Sequence, residues 1–169
     1  EKRSWVVPLK LPRGLDTRLD PVTLHLEEEG GRLAQEVATT FEVVEQAHPQ
    51  FAFSVQVEDE ATGNGDGLVE RGEELTLRVD VRNVGGGTSS EKTFVSVKNL
   101  ADEKVFIKKG RAVIGALKAG EAKPALLQLE VRKGFKPDKV PLRIQVVDER
   151  LEELVSEKVE LPVQGEAPA

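Results

Sequence analysis

The feature that most constrains the fold is a strict alternation of apolar and polar residues over residues 75–81, directly after a glycine-rich acidic loop. Successive side chains of a β-strand point to opposite faces of a sheet, so this pattern predicts a strand with one buried and one solvated face. We expect Leu77 and Val79 to face the core, and Arg78 and Asp80 to face solvent. The loop and the strand together are typical of a β-sandwich module, a kind of domain that positions or binds rather than catalyses.

The same period of two recurs along the rest of the chain, and helical spacing is scarce. After residue 50 the predicted strands cover residues 51–57, 74–84, 93–97, 105–107, 111–117, 125–131, 142–147 and 154–163. Turn sequences rich in glycine and lysine separate nearly all of them. About seven or eight short strands, roughly 8 to 14 residues apart, are typical of an immunoglobulin-like β-sandwich. The cysteine pair of many such domains is absent, because the chain contains no cysteine.

One part of this pattern fits two structures. In residues 148–158, the spacing of Leu151, Leu154 and Val155 also suits a helix. Alternation resumes over residues 159–163, which favours a β-hairpin.

The N-terminal part of the chain predicts a smaller strand-rich unit. Residues 4–11 and 22–26 have strand character, and a turn at Gly30-Gly31 leads into a further strand over residues 32–44. His48-Pro49 then interrupts the pattern. We therefore expect a small β unit over residues 1–48, the sandwich over residues 49–163, and a disordered tail over residues 164–169.

Charge and hydropathy exclude two classes of partner. The formal net charge is −6, so a phosphate backbone meets net repulsion and nucleic acid is not an expected partner. No apolar run approaches the ~20 residues that span a bilayer, and membrane insertion is not expected. The chain begins in mid-pattern without a signal-peptide sequence, as a segment of a longer exported protein would.

The loop over residues 62–73 is a candidate calcium site. Asn64, Asp66, Gly67 and Glu73 match four of the five marked positions of a calcium-loop template. Calcium takes six to eight oxygen ligands, which here would come from Asn64, Asp66 and Glu73 and from the backbone carbonyl of Leu68. No cofactor is required by this interpretation, and calcium is the one candidate.

Two observations oppose a calcium site. Thr62 stands where the template has an aspartate, and the flanking segments have strand rather than helix character. Asn-Gly and Asp-Gly are also common in turns because both residues tolerate positive φ. The alternative is a turn whose carboxylates cap backbone amides.

Catalytic motifs are absent from the sequence. His25 lies in an alternating segment and His48 precedes a proline, and neither has a Ser, Asp or second His at a characteristic spacing. No serine lies in a Gly-x-Ser-x-Gly motif, and Ser89-Ser90 reads as part of a flexible turn. The acidic pairs could serve a glycosidase, but such a site usually offers aromatic platforms, and aromatic residues make up only 4% of the chain. We expect no enzymatic activity from this chain.

Several motifs carry a resemblance to a known class of domain. They are Gly63-Asn64-Gly65-Asp66-Gly67, the strand ending in Asn83-Val84-Gly85, and Gly115 with Leu117 and Gly120. This combination resembles the CARDB-like, immunoglobulin-like modules of bacterial cell-surface proteins. The resemblance covers residues 51–163 and implies a β-sandwich.

A more specific resemblance comes from Lys98-Asn99-Leu100 through Lys109-Gly110-Arg111, followed by Val146-Val147-Asp148-Glu149 and Ser156-Glu157-Lys158. These segments look like the C-terminal region of the carboxyl-terminal processing proteases, serine peptidase family S41. In that family the nucleophilic serine and its lysine base lie in an upstream core that has no counterpart here. The resemblance therefore implies a non-catalytic appendage in the periplasm or at the cell surface.

The sequence thus favours an accessory β-sandwich domain that mediates a protein interaction or positions a neighbouring domain. Its expected partner is a protein, either the parent protease domains or a substrate protein. One alternative is a structural spacer, which predicts no contiguous exposed apolar patch. Another is a surface module that binds calcium or carbohydrate, which predicts an ordered ion or an aromatic platform.

Overall fold

The computed structural model describes residues 4, 6–12, 15–27, 30, 34–44, 47–60 and 65–166. Over these residues the protein consists of eleven β-strands joined by turns and loops, without a helix. It follows that the described residues contain no helix that could span a membrane. The predicted all-β class is confirmed. The chain divides into two compact units, Glu1–Gln46 and Ala47–Ala169.

The first unit contains one antiparallel hairpin, formed by β1 (Arg18–Glu27) and β2 (Ala34–Val43). The hairpin agrees with the prediction for residues 22–44. The strand predicted over residues 4–11 is wrong for the described residues of that segment, which form no ladder. Val7 and Leu9 are 68% and 63% exposed there. Alternation alone does not make a strand, because a strand also needs a neighbour for its backbone donors and acceptors.

The second unit is a two-sheet sandwich of nine strands. Their bounds are β3 (Phe51–Glu58), β4 (Val69–Arg71), β5 (Glu73–Asn83), β6 (Thr93–Asn99), β7 (Val105–Lys109), β8 (Arg111–Val113), β9 (Ala122–Val131), β10 (Lys139–Asp148) and β11 (Glu153–Glu166). One sheet has the order β3-β5-β9-β7 and the other the order β4-β11-β10-β6-β8. Consecutive strands of this unit lie in opposite sheets, except β10 and β11, which are neighbours in the same sheet. The predicted sandwich architecture is therefore confirmed.

The core lies between the two sheets and is almost wholly aliphatic. On β5, Leu75, Leu77, Val79 and Val81 have no solvent exposure, and they pack into one cluster with the inward side chains of β6, β9 and β10. Arg78 lies on the outer face, where it donates to Asp80 at 3.1 Å. The register predicted for this strand is confirmed.

Both open sides of the sandwich are closed by segments that pass from one sheet to the other. β3, at one edge, leads through a loop into β4, which pairs in parallel with β11 of the opposite sheet. β7, at the other edge, leads through Gly110 into β8, which pairs with β6. Short edge strands of this kind leave little unpaired backbone for association with other chains.

β4 is missing from the sequence prediction because its three residues are too few for a periodic pattern. It is fixed by tertiary contacts of Arg71, whose Nε donates to the carbonyl oxygen of Phe135 at 2.6 Å and whose Nη1 donates to that of Gly165 at 3.0 Å.

The contact with Gly165 concerns the segment that was predicted to be a disordered tail. β11 extends to Glu166, so residues 164–166, which were expected in a disordered tail, belong to a strand. Residues 167–169 lie outside the described part.

The structure also shows where β8 ends and which conformation residues 148–158 adopt. β8 ends at Val113 rather than at residue 117, because the amides of Ile114 and Gly115 both donate to the carbonyl of Thr93 and turn the chain. Residues 148–158 form the β10-β11 hairpin, which confirms the hairpin over the helix. Glu152 in its turn adopts a positive φ of 55°.

Candidate functional site

The acidic loop between β3 and β4 is built around Asp59. This carboxylate is 1% exposed and accepts the backbone amides of Gly65, Asp66 and Gly67 at 2.9 to 3.0 Å. Gly65 and Gly67 have φ values of 83° and 74°, a backbone that curves consecutive amides towards one anion. The anion in this concavity is therefore the protein's own side chain.

The predicted calcium ligands that the structure describes lie in different environments. Asp66 is exposed, and its Oδ1 accepts the amide of Leu68 at 2.9 Å. Glu73 is a buried residue on the inward-facing side of β5. Asn64, like Thr62, lies outside the described residues. Both described aspartates of the loop cap backbone amides, as the turn interpretation requires, and calcium binding stays a prediction. Over the described ranges, no group of three or more His, Asp or Glu side chains is arranged to hold a metal ion.

A cleft of about 690 Å³ opens between this loop and the outer face of the four-stranded sheet. Leu126 and Gln128 of β9 line it, as does Lys109 at the end of β7. Arg78, on the neighbouring outer face, bridges Glu58 at 3.4 Å and Asp80 at 3.1 Å. The hydrogen bond that Arg78 donates to Asp80 raises the pKa of Arg78. The ionisable residues that line the cleft are mainly acidic, since Lys109 is accompanied by Glu58, Asp59, Glu60 and Asp66.

Ser90 and Asp148 form the closest serine–carboxylate pair described, and their role is structural. Ser90 Oγ donates to Asp148 Oδ1 at 2.6 Å, and Thr93 Oγ1 donates to Oδ2 at 3.2 Å. The backbone amides of Arg150 and Leu151 also donate to Oδ1. Burial by itself raises the pKa of Asp148, but the hydrogen bonds from Ser90, Leu151 and Thr93 outweigh it and hold the pKa below its usual value.

Asp148 thus ties the start of β6 to the β10-β11 turn. The expectation of a flexible turn at Ser89-Ser90 is wrong, because Ser89 is 4% exposed and its Oγ accepts the amide of Leu117 at 2.9 Å. His25 is exposed on β1 with Glu36 at 3.9 Å, and His48 lies 3.7 Å from Glu153.

On the outer face of the five-stranded sheet, side chains from neighbouring strands line up in rows that differ in polarity and charge. One row, here called the apolar row, consists of Val113, Phe94, Val147 and Leu154, which are Cα partners across β8, β6, β10 and β11. Val113 and Leu154 at its two ends are 67% and 59% exposed. The apolar row is therefore a hydrophobic strip that crosses four strands on the outside of the sandwich.

Arg111 covers the middle of the apolar row. Its guanidinium carbon lies 3.6 Å from the centroid of the Phe94 ring, and its Nη2 lies 3.2 Å from Glu149 Oε1. Phe94 is only 8% exposed as a result. A cation held over an aromatic ring is stabilised by the ring quadrupole, so the strip combines apolar ends with an ordered arginine at its centre.

Two residues further along the strands, the outward positions of β6, β10 and β11 are neutral and polar: Ser96, Gln145 and Ser156 are Cα partners. The β8 member of this row is Arg111, the Cα partner of Ser96. Two residues further again lie Lys98, Arg143 and Lys158, which are also Cα partners and are here called the cationic row. Lys158 is neutralised by Glu160, whose Oε1 lies 2.8 Å from its Nζ. The hydrogen bond from Lys158, joined by one from Lys139, lowers the pKa of Glu160.

Sequence reasoning placed these residues on strands but missed both rows. Each row contains residues from strands far apart in the chain, so the signal exists only after the strand order and register are known. Alternation identified the outward positions one strand at a time.

Comparison with known proteins does not assign a family. No family model matches the chain, and no curated protein matches it. Among solved structures, a FixG-related protein from Vibrio parahaemolyticus is 14% identical with a TM-score of 0.44, over 68% of this chain and 96% of that one. A family 123 glycoside hydrolase from Clostridium perfringens is 10% identical with a TM-score of 0.42, over 68% of this chain. The similar region makes up 28% of the hydrolase.

Proposed function

We propose that this chain is a non-catalytic accessory domain that binds a protein or positions a neighbouring domain within a larger exported bacterial protein. The resemblance of residues 98–158 to the C-terminal region of carboxyl-terminal processing proteases supports a parent of that type. Such a parent acts in the periplasm or at the cell surface. The partner is then either the parent's own protease domains or its protein substrate.

The observation that carries the proposal is the apolar row. Outward positions of a half-solvated sheet are normally polar, yet here four consecutive strands each place an apolar side chain in one line. Removing such side chains from water favours association by about 25 cal/mol for each Å² of apolar surface. A structural spacer does not require an exposed apolar strip, whereas exposed apolar patches commonly mark protein interfaces.

The composition of the strip also suits protein recognition. Aromatic residues and arginine are enriched among the residues that contribute most to protein interfaces. Phe94 and Arg111 are already held together at 3.6 Å, so their conformational freedom is reduced before a partner arrives. A pre-ordered contact of this kind lowers the entropic cost of binding.

The test uses the full parent protein with Val113→Asp and Leu154→Asp combined, because both side chains are exposed and their replacement leaves the core intact. Leu126→Asp is the matched control, since Leu126 is 44% exposed on the outer face of the other sheet. We expect the double variant to lose partner association, and cleavage of a protein substrate, by tenfold or more, while cleavage of a short peptide is unchanged. The control should behave as the wild type.

Equal behaviour of the double variant and the wild type would contradict the interaction role. A parent protein without a serine peptidase core would contradict the protease assignment alone.

A further inference from the structure

The cationic row places like charges directly opposite one another on three adjacent strands. Lys98 of β6 is the Cα partner of Arg143 of β10, which is in turn the partner of Lys158 of β11. Like charges in directly opposed positions of a sheet destabilise it. Nothing in the folding of the sandwich requires this arrangement, because all three positions face outwards.

The charges of the row are only partly compensated within the protein. Lys158 has Glu160 as its partner at 2.8 Å. Within the part of the chain that the structure describes, Lys98 and Arg143 have no ion-pair partner, and both are exposed. An acidic group from outside the chain would therefore relieve a repulsion that the isolated domain retains.

The cationic row lies on the same face of the sheet as the apolar row. Lys98 follows Phe94 by four residues on β6, a separation of about 13 Å at 3.3 Å per residue. Between them lie the small or neutral side chains of Ser96, Gln145 and Ser156, with Arg111 at the β8 end of that row. The two rows therefore form one continuous surface, apolar at one end and cationic at the other.

We propose that this face binds an acidic protein segment, with apolar side chains on the apolar row and carboxylates about 13 Å away on Lys98 and Arg143. This inference rests on the proposed function and specifies the chemistry of the partner. Guanidinium and ammonium groups pair with carboxylates by charge-assisted hydrogen bonds. A nucleic acid is the less suitable occupant, because the apolar row would stay uncovered.

The repulsion can be tested first, in the absence of any partner. Arg143→Ser should raise the melting temperature of the wild-type chain by about 1 to 3 °C, because it removes the central like charge of the row. Lys158→Ser is the matched control, since it removes a charge that Glu160 already neutralises, and it should not raise the melting temperature. An unchanged or lowered melting temperature for Arg143→Ser would overturn the claim that the row is repulsive.

Binding is tested by fluorescence anisotropy with a fluorescein-labelled peptide that has three glutamates, a four-residue Gly-Ser spacer and three leucines. We expect Lys98→Glu combined with Arg143→Glu to weaken binding at least fivefold, and a matched peptide with lysines in place of glutamates to bind at least fivefold more weakly. Raising the salt from 50 mM to 500 mM should weaken binding as well, since exposed charges are screened.

Three results would overturn the inference: no binding of the glutamate peptide up to about 1 mM, equal binding by the wild type and the double variant, or tighter binding of a 12-nucleotide single-stranded DNA. The two proposals fail separately. If Val113→Asp with Leu154→Asp abolishes partner association in the parent protein but Lys98→Glu with Arg143→Glu does not, the interaction role stands and the acidic partner is wrong.

Discussion

Residues 47–50, which precede the first strand of the sandwich, allow the most specific test of its stability. Residues 47–50 lie against the loop after β5, where Gly87 N donates to the carbonyl of His48 at 3.1 Å and Val84 N donates to that of Gln50 at 2.7 Å. Asn83, which has no solvent exposure, closes the contact by accepting the amide of Gln50 at 3.1 Å. The substitution Gly87→Ala adds one methyl group to this contact.

The structure sets the size of the effect. A Cβ at Gly87 would lie 2.0 Å from the carbonyl oxygen of Ala47 and 2.6 Å from its carbonyl carbon, whereas ordinary contact begins at 3.4 Å. The oxygen would have to retreat by 1.4 Å, which is 3.4 less 2.0. Overpacking typically costs about 1 to 3 kcal/mol, and the hydrogen bonds of Val84 and Gly87 contribute about 0.5 to 1.5 kcal/mol each. We expect Gly87→Ala to lower the free energy of unfolding by about 2 to 6 kcal/mol.

Gly86→Ala is the matched control. A Cβ there would lie 3.4 Å from the Ala47 side chain, an ordinary contact, and neither glycine has a positive φ. Its effect should be within about 1 kcal/mol of zero, because alanine also reduces the entropy of the unfolded chain. The measurement is urea unfolding followed by far-ultraviolet circular dichroism. Equal stabilities of the two variants, to within 0.5 kcal/mol or so, would refute the idea that residues 47–50 are an integral part of the sandwich.

Three other predictions concern the core, the buried carboxylate and the acidic loop. Leu77→Ala should cost roughly 2 to 5 kcal/mol and Arg78→Ala about 1 kcal/mol or less in urea unfolding, and similar losses would refute the register of β5. The pKa of Asp148 is lowered by folding, so its contribution is complete above the ordinary aspartate pKa and is lost as the pH falls through the lowered value. Asp148→Asn should therefore destabilise the protein at pH 7 and flatten the fall in stability below pH 4 or so, whereas the exposed control Asp138→Asn should do neither. Calcium should bind the acidic loop no more tightly than about 10⁻⁴ M, with any rise in melting temperature abolished by Asp66→Ala, and micromolar affinity by calorimetry would contradict this.

The acidic loop shows how far local sequence determines a site. The glycines at positions 65 and 67 and the neighbouring aspartates predicted a tight turn rich in carboxylates, and the described residues form one. The sequence could not indicate that Asp59 would turn back to accept three amides of this turn, because the closure depends on where β3 ends. The alternation does place Glu73 on the inward side of β5, in line with Leu75 and Leu77, whereas the calcium template assigned its carboxylate to an ion in the loop.

The sequence by itself determined the fold class and most strands, because a period of two fixes which side chains share a face without reference to the rest of the molecule. It also determined which face of β5 is buried. Only the tertiary structure decided which strands became neighbours, and with that it decided the surface chemistry. Phe94 and Val147 are 53 positions apart in the numbering, and Lys98 and Arg143 are 45 positions apart. The pairing of β6 with β10 brings them into rows. Such rows depend on register, which results from the packing of the whole core and is not encoded in any one strand.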